Sequence, residues 1–175
     1  MRQTTILALA MAAPIAAWPA AADDELALVN TLDSSAEELE AFFASLQAVS
    51  APDSVEVLTV AMSGTGLIAR PAVGEPPVAL DEAAARELTD TLLRVDSYRA
   101  SMSACLFQPA VAFRFHSAAG TVEVPVCFEC NELIFREPEG KPLSGRFLLG
   151  KGRAPLLAIA KKAFPGNAKL QALSE

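Results

Sequence analysis

The chain of 175 residues holds a single histidine, a single tryptophan and a single tyrosine, and its 14 basic residues are outnumbered by 21 acidic ones. With His116 alone, no site can draw on two imidazole ligands, and general-base or triad chemistry through histidine is confined to one position. The patterns H-E-x-x-H, G-x-S-x-G and S-x-x-K do not occur. A net charge of −7, with no local cluster of Lys or Arg, sets the chain against phosphate backbones and anionic lipid surfaces, so no nucleic-acid partner is expected.

Long apolar runs are also missing. The most apolar stretch, Thr4 to Ala17, follows a positive start at Met1-Arg-Gln and is too short for a membrane span, with Pro14 and Pro19 interrupting it. Small residues at Ala20-Ala21-Ala22 complete the pattern of a cleavable export signal over residues 1–22. The expectation is therefore one domain over residues 23–175, periplasmic or secreted, with no membrane span after cleavage.

Ser34-Ser35-Ala-Glu37-Glu38 supplies overlapping capping boxes, and Leu39, Phe42, Phe43, Leu46 and Val49 follow at helical spacing, which predicts a helix over Ala36–Val49. The β-branched run Val55 to Val60 reads as a strand, and Pro71 to Pro77 as an irregular surface loop. Asp81 caps a second helix carrying Leu88, Leu92 and Val95 on one face. Two strands, Val111–His116 and Thr121–Phe128, flank Ser117-Ala-Ala-Gly120 and predict a hairpin. If His116 faces Thr121, then Arg114 meets Glu123, Phe113 meets Val124 and Phe115 meets Val122, which leaves one face apolar and one carrying an ion pair. Leu133-Ile-Phe135 is a further candidate strand. Pro155 at a first helical position, with Leu156, Ile159 and Ala160 after it, marks a third helix. The order of elements implies an α+β fold: a single domain with a mainly antiparallel sheet, a central β-hairpin and about three amphipathic helices.

Two phosphate-binding patterns fail on their surroundings. Gly64-Thr-Gly66-Leu-Ile-Ala69 fits G-x-G-x-x-A, but Pro71, Pro76 and Pro77 prevent the helix whose N-terminus would hold a pyrophosphate. Gly145 to Lys151 fits G-x-x-x-x-G-K, but Gly152 stands where a magnesium-binding hydroxyl is required, and the segment reads as a flexible basic loop. The acids Glu129, Glu132, Glu137 and Glu139 read as a solvated rim.

The remaining chemistry lies in Cys105, Cys127 and Cys130. An oxidising compartment favours a structural disulfide with one thiol left over. In the hairpin register Cys130 shares a face with Cys105, so Cys105–Cys130 is the expected bridge and Cys127 is left on the opposite face. A bulge at Pro109 would make Cys127 the partner of Cys105 instead. His116 lies about 20 Å from Cys127 along the strand, at about 3.3 Å per residue, too far to complete a zinc site. A redox pair Cys127/Cys130 would want a helix start, and Cys127 ends a strand. Cys127 and His116 stay as weak site candidates, with no catalytic residue, metal or cofactor assigned.

The stretch Cys105-Leu-Phe-Gln-Pro109, Ala112-Phe-Arg-Phe115, Cys127-Phe-Glu-Cys130-Asn-Glu-Leu133, with the closing Leu156 to Pro165 segment, resembles a family of uncharacterised exported bacterial proteins and lipoproteins. The resemblance implies a shared fold and location and no assigned activity. The function expected is an exported binding or structural module without catalysis, acting on an unknown protein or small ligand. The alternatives are a thiol–disulfide redox protein using Cys127 and Cys130 and a cysteine-ligated metal protein.

Overall fold

The computed structural model describes residues 29–62, 69–71, 75–100 and 104–174. The segment 1–22 expected to be an export signal and most of the Gly64–Ala69 motif lie outside the described residues.

A capping box opens α1 (Ala36–Ser45): Ser35 Oγ accepts from the Glu38 N–H and the Glu38 carboxylate accepts from the Ser35 N–H. The expected single helix is broken at Leu46, whose ψ of 66° leaves the helical region, and a short turn of helix, α2 (Gln47–Ser50), follows. The strands β1 (Ser54–Met62), β2 (Ala69–Pro71) and β3 (Val78–Ala79) come next, so Pro71 of the expected irregular loop ends β2, and β3 begins just after Pro77. Asp81 accepts from the Ala84 N–H and caps α3 (Glu82–Leu92), which ends a turn short of Val95.

The hairpin has the predicted register. In β4 (Val111–Ser117) and β5 (Gly120–Cys127), His116 faces Thr121, Arg114 faces Glu123 and Phe113 faces Val124. The ladder closes one pair further than expected, at Ser117 opposite Gly120, and Gly120 takes a φ of 125° that suits glycine. The strands β6 (Glu132–Leu133) and β7 (Phe147–Leu148) complete an antiparallel sheet ordered β2-β1-β4-β5-β6-β7, with β3 also on β1.

The expected flexible loop at Gly145–Lys151 is corrected by β7. Phe147, Leu148 and Leu149 are buried, and the edge is covered by the chain before α1: the Leu148 N–H donates to Thr31 Oγ1 and the Gly145 N–H to the Val29 carbonyl. Two helices end the chain, α4 (Arg153–Ala163) and α5 (Ala168–Gln171). Pro155 sits two residues inside α4 rather than at its first position, still within the turn where N–H groups lack helical partners.

The two faces of the sheet differ. Val55, Val57, Val111, Phe113, Phe115, Val122, Val124 and Val126 share one apolar cluster with Leu39, Phe43, Leu88, Leu92, Leu156 and Leu157, so the helices cover this face. Phe43, Tyr98, Phe135 and Phe147 meet ring to ring at its centre. Among the described residues, no helix is long and apolar enough to cross a membrane.

Candidate functional site

The strand pleat sends Thr121, Glu123, Pro125 and Cys127 to the face away from the helices. At one end of that face the expected ion pair is part of a larger network. Glu123 Oε1 accepts from Arg114 Nε and Nη2 at 2.8 and 2.6 Å, while Glu123 Oε2 accepts from Arg136 Nη2 at 2.8 Å. Arg114 also donates to Glu56 at 2.7 Å. Burial opposes the charge on Arg114, but the hydrogen bonds to Glu123 and Glu56 outweigh it and raise its pKa above the ordinary arginine value. His116 lies here too, its Nδ1 3.2 Å from Thr121 Oγ1 and its Nε2 3.5 Å from Glu56 Oε1. The structure thus places His116 beside the hairpin turn, as a member of a charged network at the opposite end of β5 from Cys127.

At the other end sit all three cysteines. Cys105 is bonded to Cys130, with Cα atoms 5.6 Å apart, and Cys127 is a buried thiol. Cys127 is not isolated on the opposite face: the three sulfurs lie within 4.8 Å of one another, and Phe107, Cys127, Cys130 and Ile134 form their own apolar cluster. Cys127 keeps the place that the register gives it, opposite Glu132, and the bridge comes round to it because the strand alternation ends there. Residues 128–131 form a turn, Asn131 adopts a φ of 56°, and the turn curls Cys130 back until its N–H donates to Cys127 Sγ at 3.3 Å. No helix begins at Cys127, so the helix-start geometry of a thioredoxin-type pair is not built here. With Cys105 and Cys130 bonded together, only Cys127 has a sulfur able to ligate a soft metal, and a three-thiolate site would require reduction of the bridge.

One acidic residue departs from the expected solvated rim. Glu132 is 0% exposed. It stands directly opposite Cys127 across β5 and β6, which puts both side chains on one face. Arg146 Nη1 donates to Glu132 Oε2 and to the Cys105 carbonyl, each at 3.3 Å, and so ties β6 to the segment carrying the bridge. Glu132 Oε1 has no hydrogen-bond partner within the described protein. In Cys130-Asn-Glu-Leu133 the burial of Glu132 shows only once β6 is placed in register on β5.

A cleft of about 340 Å³ opens beside this cluster, towards α5. Gln108, Pro109, Phe128 and Glu129 form one wall, each lying between the bridged cysteines and the sheet in sequence, and Asn167 and Leu170 belong to the other. Thr59 lines it and is buried, yet its hydroxyl has no partner within the described protein. Glu75 also lines the cleft, and each of its carboxylate oxygens accepts from the Asn167 amide at 3.3 Å. Sequence reading missed this cleft because it depends on α5 and on the Glu75 loop, neither of which carries a motif. Comparison with protein-family models, with curated proteins and with solved structures finds no match.

Proposed function

We propose that the protein is an exported, non-catalytic binding module that takes a small amphipathic ligand into the cleft between Thr59, Phe128 and α5. The observation that carries this reading is the Thr59 hydroxyl, buried in the cleft wall without a partner among the described residues. With the cleft empty this hydroxyl is closed off from solvent, so a ligand reaches it by parting the wall, and a hydrogen bond made there recovers the about 1–3 kcal/mol that an unbonded buried hydroxyl costs. Apolar surface from Phe128, Pro109 and Leu170 accepts a hydrocarbon body. Two carboxylates, Glu75 and Glu129, against one ammonium, Lys169, favour a ligand carrying an amine or hydroxyl over an anion.

Export and the structural disulfide support the same reading. The leader pattern over residues 1–22 points to an oxidising compartment, and the bridge Cys105–Cys130 fastens the two chain segments that supply one wall of the cleft. Crystals soaked with short-chain amino alcohols test the proposal. Density in the cleft within hydrogen-bond distance of Thr59 Oγ1 is expected, and binding of the whole series at other surfaces would overturn it.

A further inference from the structure

The cysteine cluster holds chemistry that a cleft does not need. We infer that Cys105, Cys127 and Cys130 form a three-sulfur exchange centre, in which buried Cys127 displaces Cys105 from the bridge and so exposes Cys105 to modification by low-molecular-weight disulfides. The inference stands apart from the reading of the cleft.

Three observations meet at this point. Cys127 Sγ lies within 4.8 Å of both bridged sulfurs, so it can reach the bond with a small side-chain rotation. The Cys130 N–H donates to Cys127 Sγ at 3.3 Å and holds this sulfur beside the bridge. Glu132, buried and directly opposite Cys127, presents a carboxylate with one oxygen unpartnered among the described residues and the other held by Arg146. The two side chains are not hydrogen-bonded to each other in the structure, and a change of rotamer on their shared face brings the Glu132 carboxylate to the Cys127 proton.

The step balances without an outside oxidant. The Cys127 thiol gives its proton to Glu132, the Cys127 sulfur forms a bond to Cys130 Sγ, and the bond from Cys130 to Cys105 breaks with its electron pair on Cys105. The product is a Cys127–Cys130 disulfide and a Cys105 thiolate. Attack on Cys130 is the favoured direction, because its leaving group, Cys105, lies at the surface where water solvates the new charge, whereas attack on Cys105 would strand a thiolate on buried Cys130. The Leu106 carbonyl, 3.7 Å from Cys105 Sγ, accepts from the thiol once it is protonated. The Cys105 thiolate then attacks a disulfide RSSR, giving the mixed disulfide Cys105–SR and releasing RS⁻.

The full chain, folded and with one thiol, is incubated with oxidised glutathione, quenched with acid, alkylated and cleaved with trypsin. Cleavage after Arg99, Arg114 and Arg136 puts Cys105 on one peptide and Cys127 with Cys130 on another. The expected map shows glutathione on Cys105 and a disulfide inside the second peptide, and Cys127→Ser abolishes the glutathione. Glu132→Gln slows the uptake by about a hundredfold, the range of a lost proton acceptor. The inference is overturned if the two peptides stay linked with the thiol on Cys127, if glutathione is found on Cys127, or if Cys127→Ser takes it up on Cys105 at the wild-type rate. An unchanged rate in Glu132→Gln overturns the part given to Glu132. The wild-type map decides the inference even if a variant fails to fold.

Discussion

Cys127 and Glu132 face each other across the β5–β6 pair, a buried thiol beside a buried carboxylate, and the bridge between Cys105 and Cys130 closes the same corner of the sheet. This corner ties the chain before β4 to the turn after β5. Its loss should loosen both.

The worth of the bridge is read by comparing Cys127→Ser with the double variant Cys105→Ser/Cys127→Ser, since neither can re-pair through Cys127. The bridge spans 25 residues, and loop closure of that size is worth about 3 kcal/mol. Urea unfolding should show the double variant less stable by that amount. Equal midpoints would mean that the bridge constrains nothing.

Arg136→Met leaves the Glu123 carboxylate, 3% exposed, to Arg114, its other cationic partner among the described residues. Removing one member of a buried pair typically costs about 3–5 kcal/mol, because the other charge is left without compensation. A fall in stability near the lower figure is expected, given the help from Arg114. The double variant Arg136→Met/Glu123→Leu should recover most of the loss, which a simple packing defect at Arg136 would not allow.

Tyr98 donates its hydroxyl to the Leu92 carbonyl at 2.6 Å, inside the aromatic centre of the core. Burial pushes the phenol pKa upward, so the hydroxyl stays a donor throughout the range in which the protein is folded. Tyr98→Phe keeps the ring contacts and leaves the carbonyl at the end of α3 unpaired. Thermal unfolding should report a loss of about 1–2 kcal/mol.

Asp81 caps α3, and its pKa is lowered first by the Ala84 N–H and then by Lys162. A carboxylate whose folded pKa lies below its unfolded one adds stability above the unfolded value, about 3.9, and loses it as pH falls through the folded value. Asn caps equally well and does not titrate. The stability difference between wild type and Asp81→Asn should therefore be constant above about pH 5 and should shift against wild type as the pH drops below 4. A difference independent of pH would contradict the assignment.

The parts of the fold set by short-range pattern were legible in the sequence. The hairpin register followed from alternation on both strands, because a slip of one residue would have put Arg114 and Glu123 into the core. The caps at Ser35 and Asp81 followed from side chains that satisfy neighbouring N–H groups. What escaped depends on distant partners. Phe147-Leu148 is too short to show a period and becomes a strand because β6 and the Val29–Thr31 segment flank it. Glu132 reads as a surface acid until β6 docks on β5. The bridge Cys105–Cys130 is legible from the register, while its closeness to Cys127 comes from the turn over residues 128–131, where Asn131 takes a positive φ. Gly152 is another such case: a Cβ there would stand 2.9 Å from Ser97 Cβ, a close approach that no local pattern announces.

A ligand cleft completed by Thr59 is checked by a two-dimensional NMR titration of wild type and Thr59→Val with a series of short-chain amino alcohols. Shifts in wild type should gather at Thr59, Gln108, Phe128, Asn167 and Leu170, and Thr59→Val, folded and at least as stable, should bind about tenfold more weakly, the equivalent of one hydrogen bond. Shifts gathered elsewhere, or equal affinity in Thr59→Val, would contradict it.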